Sequence, residues 1–122
     1  MTRFLLLTVL LISPLTVLAQ DWQFRDGDRT LDHAEVMVLT EGQTLVFFDE
    51  GQSKFSSGGA YSYTYASGES AFGRYRVKPD GTVCIEYRNG FARCDRYVES
   101  GTRIVMLTEK GERFPIRARS AE

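Results

Sequence analysis

The stretch that decides the fold reads Asp80-Gly81-Thr82-Val83-Cys84-Ile85-Glu86-Tyr87-Arg88-Asn89-Gly90-Phe91-Ala92-Arg93-Cys94-Asp95. Two runs suited to β-structure flank Asn-Gly, the strongest short hairpin signal. A two-residue Asn-Gly loop would pair Cys84 with Asp95 and leave Cys94 on the wrong face, because side chains alternate along a strand. A three-residue loop, Arg88-Asn89-Gly90 with Gly90 left-handed, pairs Tyr87 with Phe91 and Cys84 with Cys94. This second register is the expected one, with a Cys84–Cys94 disulfide on one face. Val83, Ile85, Tyr87 and Phe91 then form an apolar patch on the other.

Working outward, the first nineteen residues read as an export signal. Arg3 supplies the positive start, Phe4 to Leu18 forms an apolar run interrupted by Ser13 and Pro14, and Val17-Leu18-Ala19 matches a signal-peptidase site. The run is shorter than the roughly 20 apolar residues of a spanning helix and has no basic flank behind it. The expectation is a signal peptide at 1–19 and one domain at 20–122, periplasmic or secreted and not membrane-spanning after cleavage. An oxidising compartment favours the disulfide, which closes a short loop and contributes roughly 2–3 kcal/mol in the chain-entropy account.

Between these landmarks the chain alternates strands and turns. Asp32 is a plausible N-cap with Glu35 three residues on and Leu31 placed to staple onto Val36, while Gly42 supplies a left-handed stop. That predicts one short helix, although the β-branched Val36 and Val38 leave a strand open. Strands follow over 44–48, around Lys54 and Phe55, over 60–65, 72–78, the cysteine hairpin, 103–108 and 113–117. Seven or eight short strands separated by turn residues imply a mainly β fold. We expect an antiparallel meander closed into a small barrel or strongly curved sheet, with the N-terminal helix plugging an end or covering a face.

The pattern Gly73-Arg74-Tyr75-Arg76-Val77-x-x-Asp80-Gly81-x-x-Cys84, followed by Cys94-Asp95-x-Tyr97-Val98, resembles one in small uncharacterised exported proteins of proteobacteria. The resemblance spans most of the chain after the leader and implies no catalytic residue. Separately, Ser56-Ser57-Gly58-Gly59-Ala60-Tyr61 resembles the Ser-Gly-Ala-Arg-Tyr loop of periplasmic inhibitors of c-type lysozyme, small disulfide-bearing β-barrels. In that family the loop enters the lysozyme cleft; here a further Gly intrudes and the Arg is missing.

Chemistry-bearing constellations are few. His33 is the sole histidine, so a Ser-His-Asp triad or a zinc site lacks companions, and a surface or capping role is expected instead. Asp26-Gly27-Asp28 with Asp32 has the oxygen donors of a calcium loop but not its defined Gly and terminal Glu, and reads more simply as a turn. No metal or cofactor is expected. A carboxylate-based enzyme would need Glu69 or Glu86 to converge in a cleft with shifted pKa values.

Binding candidates are more numerous. Tyr61, Tyr63 and Tyr65 share a face and either pack as barrel wall or line a ligand cavity. Arg74 and Arg76, with Lys78, project from one sheet face that is either solvated or suited to anions. Residues 20–70 carry three basic and nine acidic side chains, against eleven and seven over 71–122. The asymmetry favours an anionic partner near the second half, unless the fold interleaves the two. Nucleic acid does not suit an exported chain of formal net charge −1. The expectation is a monomeric, non-enzymatic binding module for a small molecule, a polyanion or an envelope protein. Tyr61, Tyr63, Tyr65, Arg74, Arg76, Ser57 and Gly58 are its candidate contacts. The alternative is an inhibitor of a hydrolase such as lysozyme, acting through a rigid exposed loop at Ser56–Ala60.

Overall fold

The structure, a computed structural model, describes residues 8–12 and 22–122. Most of the expected leader, with its cleavage site at Ala19, lies outside the described residues. Among the described residues no helix is long and apolar enough to cross a membrane.

After β1 (Arg29–Thr30) and α1 (His33–Thr40) come eight strands: β2 (Gln43–Phe47), β3 (Gln52–Phe55), β4 (Ala60–Thr64), β5 (Ser70–Val77), β6 (Val83–Tyr87), β7 (Ala92–Ser100), β8 (Arg103–Leu107) and β9 (Arg113–Ala121). Each pairs antiparallel with its successor, and β9 pairs back onto β2, closing an eight-stranded up-and-down barrel. The closing seam needs β9 to run to Ala121, beyond the strand expected from sequence, because Ala118–Ala121 lie opposite Gln43–Val46. A bulge at Arg117, where the register slips between Val46 and Phe47, bends β9 into that seam.

Alternation fills the interior. Leu45, Phe47, Phe55, Tyr61, Val83, Ile85, Tyr97 and Met106 form the main core, with Tyr63, Tyr75, Tyr87 and Phe114 packed against it. Rings meet edge-on or tilted across strands, as Phe55 does with Tyr61 at 5.1 Å and with Tyr75 at 5.0 Å.

The helix forms as the capping signals predict. The Asp32 carboxylate accepts from the Glu35 N–H, and Glu35 Oε1 accepts in turn from the Asp32 N–H. Leu31, Val36 and Leu39 are buried in the core, and Gly42 leaves the helix at φ 67°. The helix therefore plugs the barrel end that carries the 56–59, 78–82 and 101–102 turns. His33 joins this end as an ordinary tie, its Nδ1 2.9 Å from the Lys78 carbonyl. Gly81 is needed here: at φ +88°, a Cβ would lie 2.8 Å from the Leu31 carbonyl oxygen.

The cysteine hairpin takes the expected register. Cys84 faces Cys94 and the two are bonded, Gly90 is left-handed at φ 91°, and the Tyr87 N–H donates to the Phe91 carbonyl. One expectation fails: Phe91 does not continue the apolar inner patch. It sits past the strand end in the turn, 73% exposed, where the barrel mouth leaves nothing opposite to bury it.

Outside the barrel, residues 22–28 strap across β7, β8 and β9. Trp22 packs on Val98, Val105 and Leu107, a second small core, and its Nε1 donates to the Cys94 carbonyl. Asp28 is clamped by both terminal nitrogens of Arg113, at 2.7 and 2.9 Å, with 2% of its side chain exposed. That guanidinium holds the Asp28 carboxyl down at about 2. A carboxylate so engaged, beside an Asp32 occupied as a cap, is committed to structure.

Candidate functional site

The barrel end opposite the helix stays open. There residues of the 65–69, 88–91 and 108–112 turns line a pocket of about 590 Å³. Its wall includes Tyr65, Tyr87, Phe91, Thr108, Glu109 and Glu112, and Arg93 and Asp95 close the bottom. This volume lies within the range of small-molecule sites, and the aromatic walls with a few polar groups have the usual composition of one.

The floor is built by β7. Arg93 and Asp95 lie opposite Ile85 and Val83, so alternation turns both charged side chains into the barrel. Arg93 Nη2 donates to the Tyr61 hydroxyl at 2.9 Å, and that hydroxyl also bonds Ser53 Oγ at 2.9 Å. The guanidinium carbon stands over the rings of Tyr63 and Tyr87, 5.5 and 5.9 Å from their centres. Burial alone would lower the Arg93 pKa, but Tyr61 and Asp95 outweigh it and the group stays charged.

Asp95 is placed differently. It has no exposed surface, Arg93 Nε lies 3.4 Å from Oδ2, and neither carboxylate oxygen has a hydrogen-bond donor. The contact is an ion pair by distance and not a hydrogen bond by direction, and it supplies charge balance alone. Burial pushes the Asp95 carboxyl up to about 6; Arg93 opposes the rise and the nearby Glu109 adds to it. Tyr97 reinforces the pattern, its hydroxyl buried beside Asp95 and also without a partner.

The rim depends on a gap in the sheet. β8 pairs with β7 from Arg96 to Ser100, while Ala92–Asp95 pair with β6 alone. The exposed ladder groups of Cys94 are satisfied from elsewhere: its N–H donates to Glu109 and its carbonyl accepts from Trp22. Glu112 turns back within its own loop, where Thr108 Oγ1 donates to Oε1.

The residues singled out from sequence fall into three places. Tyr61 is buried in the core and Tyr63 half-buried against it, whereas Tyr65 stands just beyond β4 on the pocket wall, its ring 4.9 Å from that of Tyr63. Arg74 and Arg76 lie on the exposed outer face of β5, and Ser57 and Gly58 lie in the turn at the plugged end. Glu69 and Glu86 are exposed and do not line the pocket. Sequence reasoning therefore missed Arg93, Asp95, Phe91, Glu109 and Glu112. The signal for the first two was present: the Cys84–Cys94 register already puts them on the face of Val83 and Ile85.

No match was found among protein-family models, curated proteins or solved structures.

The loop at the plugged end is also well defined. Ser56 N–H donates to the Ala60 carbonyl, Gly59 N–H to Ser56, and Tyr75 N–H to Gly59. Arg74 Nη2 donates to the Gly58 carbonyl at 3.1 Å and the Tyr75 hydroxyl to the Ser56 carbonyl at 3.2 Å. Five hydrogen bonds thus hold a short loop whose Ser57 and Gly58 remain exposed.

Proposed function

We propose that this protein is a non-enzymatic binding module that takes a small ligand into the open mouth of the barrel. The observation that carries the reading is the pocket of about 590 Å³ with a buried carboxylate in its floor that has no donor. Leaving a buried acceptor unfilled is unfavourable by about 1–3 kcal/mol, and binding sites are where such groups are retained. An exported compartment suits the disulfide and the reading of the leader. Nuclear magnetic resonance of residues 20–122 tests the proposal with a library of small polar and aromatic compounds. Shifts at Tyr65, Tyr87, Phe91 and Glu109 are expected. Shifts confined to the outer face of β5 would move the function to Arg74 and Arg76, and to an anionic ligand.

A second reading, inhibition of a hydrolase such as c-type lysozyme through Ser56–Ala60, is favoured by the hydrogen bonds that hold that loop. A pre-ordered loop binds a cleft with little entropic loss. The test is direct inhibition of lysozyme by the protein. Full lysozyme activity at a tenfold molar excess would remove this reading and leave the pocket untouched.

A further inference from the structure

Resting on the pocket reading, we infer that the ligand is a small organic cation. Its ammonium or guanidinium group sits between Glu109 and Glu112 above Asp95, and its apolar body lies against Tyr65, Tyr87 and Phe91.

Charge selects the sign. The pocket wall holds three carboxylates, Asp95, Glu109 and Glu112, against two cationic groups, Arg93 and Lys110. Arg93 donates to Tyr61, lies over two tyrosine rings and balances the charge of Asp95, which leaves Glu109 and Glu112 against Lys110. Lys110 is exposed at the tip of its turn, where water competes for its charge. Among the described residues neither glutamate is in a salt bridge, and the hydrogen bonds they accept, from Cys94 and Thr108, each engage only Oε1. An anionic ligand would meet the carboxylates of Glu109 and Glu112 at the rim with repulsion. A neutral ligand would leave the carboxylates without charge compensation.

Aromatic placement selects an organic cation over a metal ion. Tyr65 and Phe91 are 53% and 73% exposed at the rim, apolar surface that a hydrated ion would leave uncovered. Ring faces also attract ammonium and guanidinium groups directly. Among the described residues no cluster of acidic, histidine or cysteine side chains has the spacing of a metal site.

The test uses three probes of one shape: phenethylamine, phenethyl alcohol and phenylacetate, titrated into residues 20–122 at pH 7.5. Resonances of Tyr65, Phe91 and Glu109 are followed. The expected result is that the amine binds at least tenfold more tightly than the alcohol and that the acid does not bind. Glu109→Gln with Glu112→Gln should weaken the amine several-fold, and Asp95→Asn should weaken it further, with melting curves confirming that each variant is folded. Amine affinity should also fall as pH drops below 6. If the alcohol or acid binds the same residues as tightly as the amine, the cation is wrong and the pocket reading stands. If no probe shifts the mouth residues, both fall.

Discussion

Asp95 lies 3.4 Å from Nε of Arg93, yet the guanidinium aims its hydrogens elsewhere and leaves both carboxylate oxygens without a donor. The pair is balanced in charge and unsatisfied in hydrogen bonding. That combination makes the ionised Asp95 a cost to the stability of the fold.

Replacing Asp95 by Asn tests this cost. The folded carboxyl titrates near 6 against 3.8 in the unfolded chain, so the native state binds the proton more tightly. Its ionisation then destabilises the fold progressively as pH rises from about 4 to 6, by at most about 3 kcal/mol. Asp95→Asn should therefore be more stable than the parent at pH 7.5, by about 1–3 kcal/mol, and the gain should shrink at pH 4.5. Urea denaturation at the two pH values measures it. A variant destabilised at pH 7.5 would mean Asp95 makes an essential contact.

Asp28 predicts the opposite slope. Its carboxyl is held down at about 2 by Arg113, so its contribution is complete above about 4 and is lost as pH falls through 2. Arg113→Ala leaves that carboxylate buried with its charge partner gone, and should destabilise by about 3–5 kcal/mol. Adding Asp28→Asn to it should recover part of the loss. Thermal melts of the single and double variants provide the comparison; additivity would show that the two side chains are not coupled.

The disulfide spans a sequence separation of 10 and closes the strand pair that carries Arg93 and Asp95. Its removal, as Cys84→Ala with Cys94→Ala, should lower stability by roughly 3 kcal/mol from loop entropy. Because Trp22 bonds the Cys94 carbonyl, tryptophan fluorescence reports the same site. Unchanged urea midpoints with and without reductant would contradict the expectation.

Gly73 is required by close approach of strands. A Cβ there would lie 2.2 Å from the Glu86 carbonyl oxygen and 2.9 Å from the Tyr87 Cα, both main-chain atoms that cannot turn aside. Gly73→Ala should destabilise by roughly 1–3 kcal/mol or more and speed amide exchange in β5 and β6. Wild-type exchange rates would show that the strands separate freely.

Much of the fold is legible in local chemistry. Asp32 with Glu35 marks the helix start, Asn89-Gly90 the hairpin, and the two cysteines fix its register, because each signal acts over a few residues. The candidate site was less legible. Tyr61, Tyr63 and Tyr65 alternate identically, yet burial differs along the barrel axis, so one is core and another is rim. Arg74 and Arg76 read as an anion surface, but Arg74 holds the Gly58 carbonyl. Glu109 and Glu112 look like ordinary turn residues until the turn is set beside Ala92–Asp95.

The sequence by itself determined the helix, the strand meander, the turns and the cysteine register, since capping, alternation and loop length are local. Only the tertiary structure decided that β9 closes onto β2, that the helix plugs one end, and that the other end stays open. Those outcomes depend on pairing between residues about 70–80 positions apart, as Gln43 is from Ala121. A charge in an alternating strand carries no mark of its depth; it is the closed barrel that takes Asp95 out of water and leaves it facing the pocket.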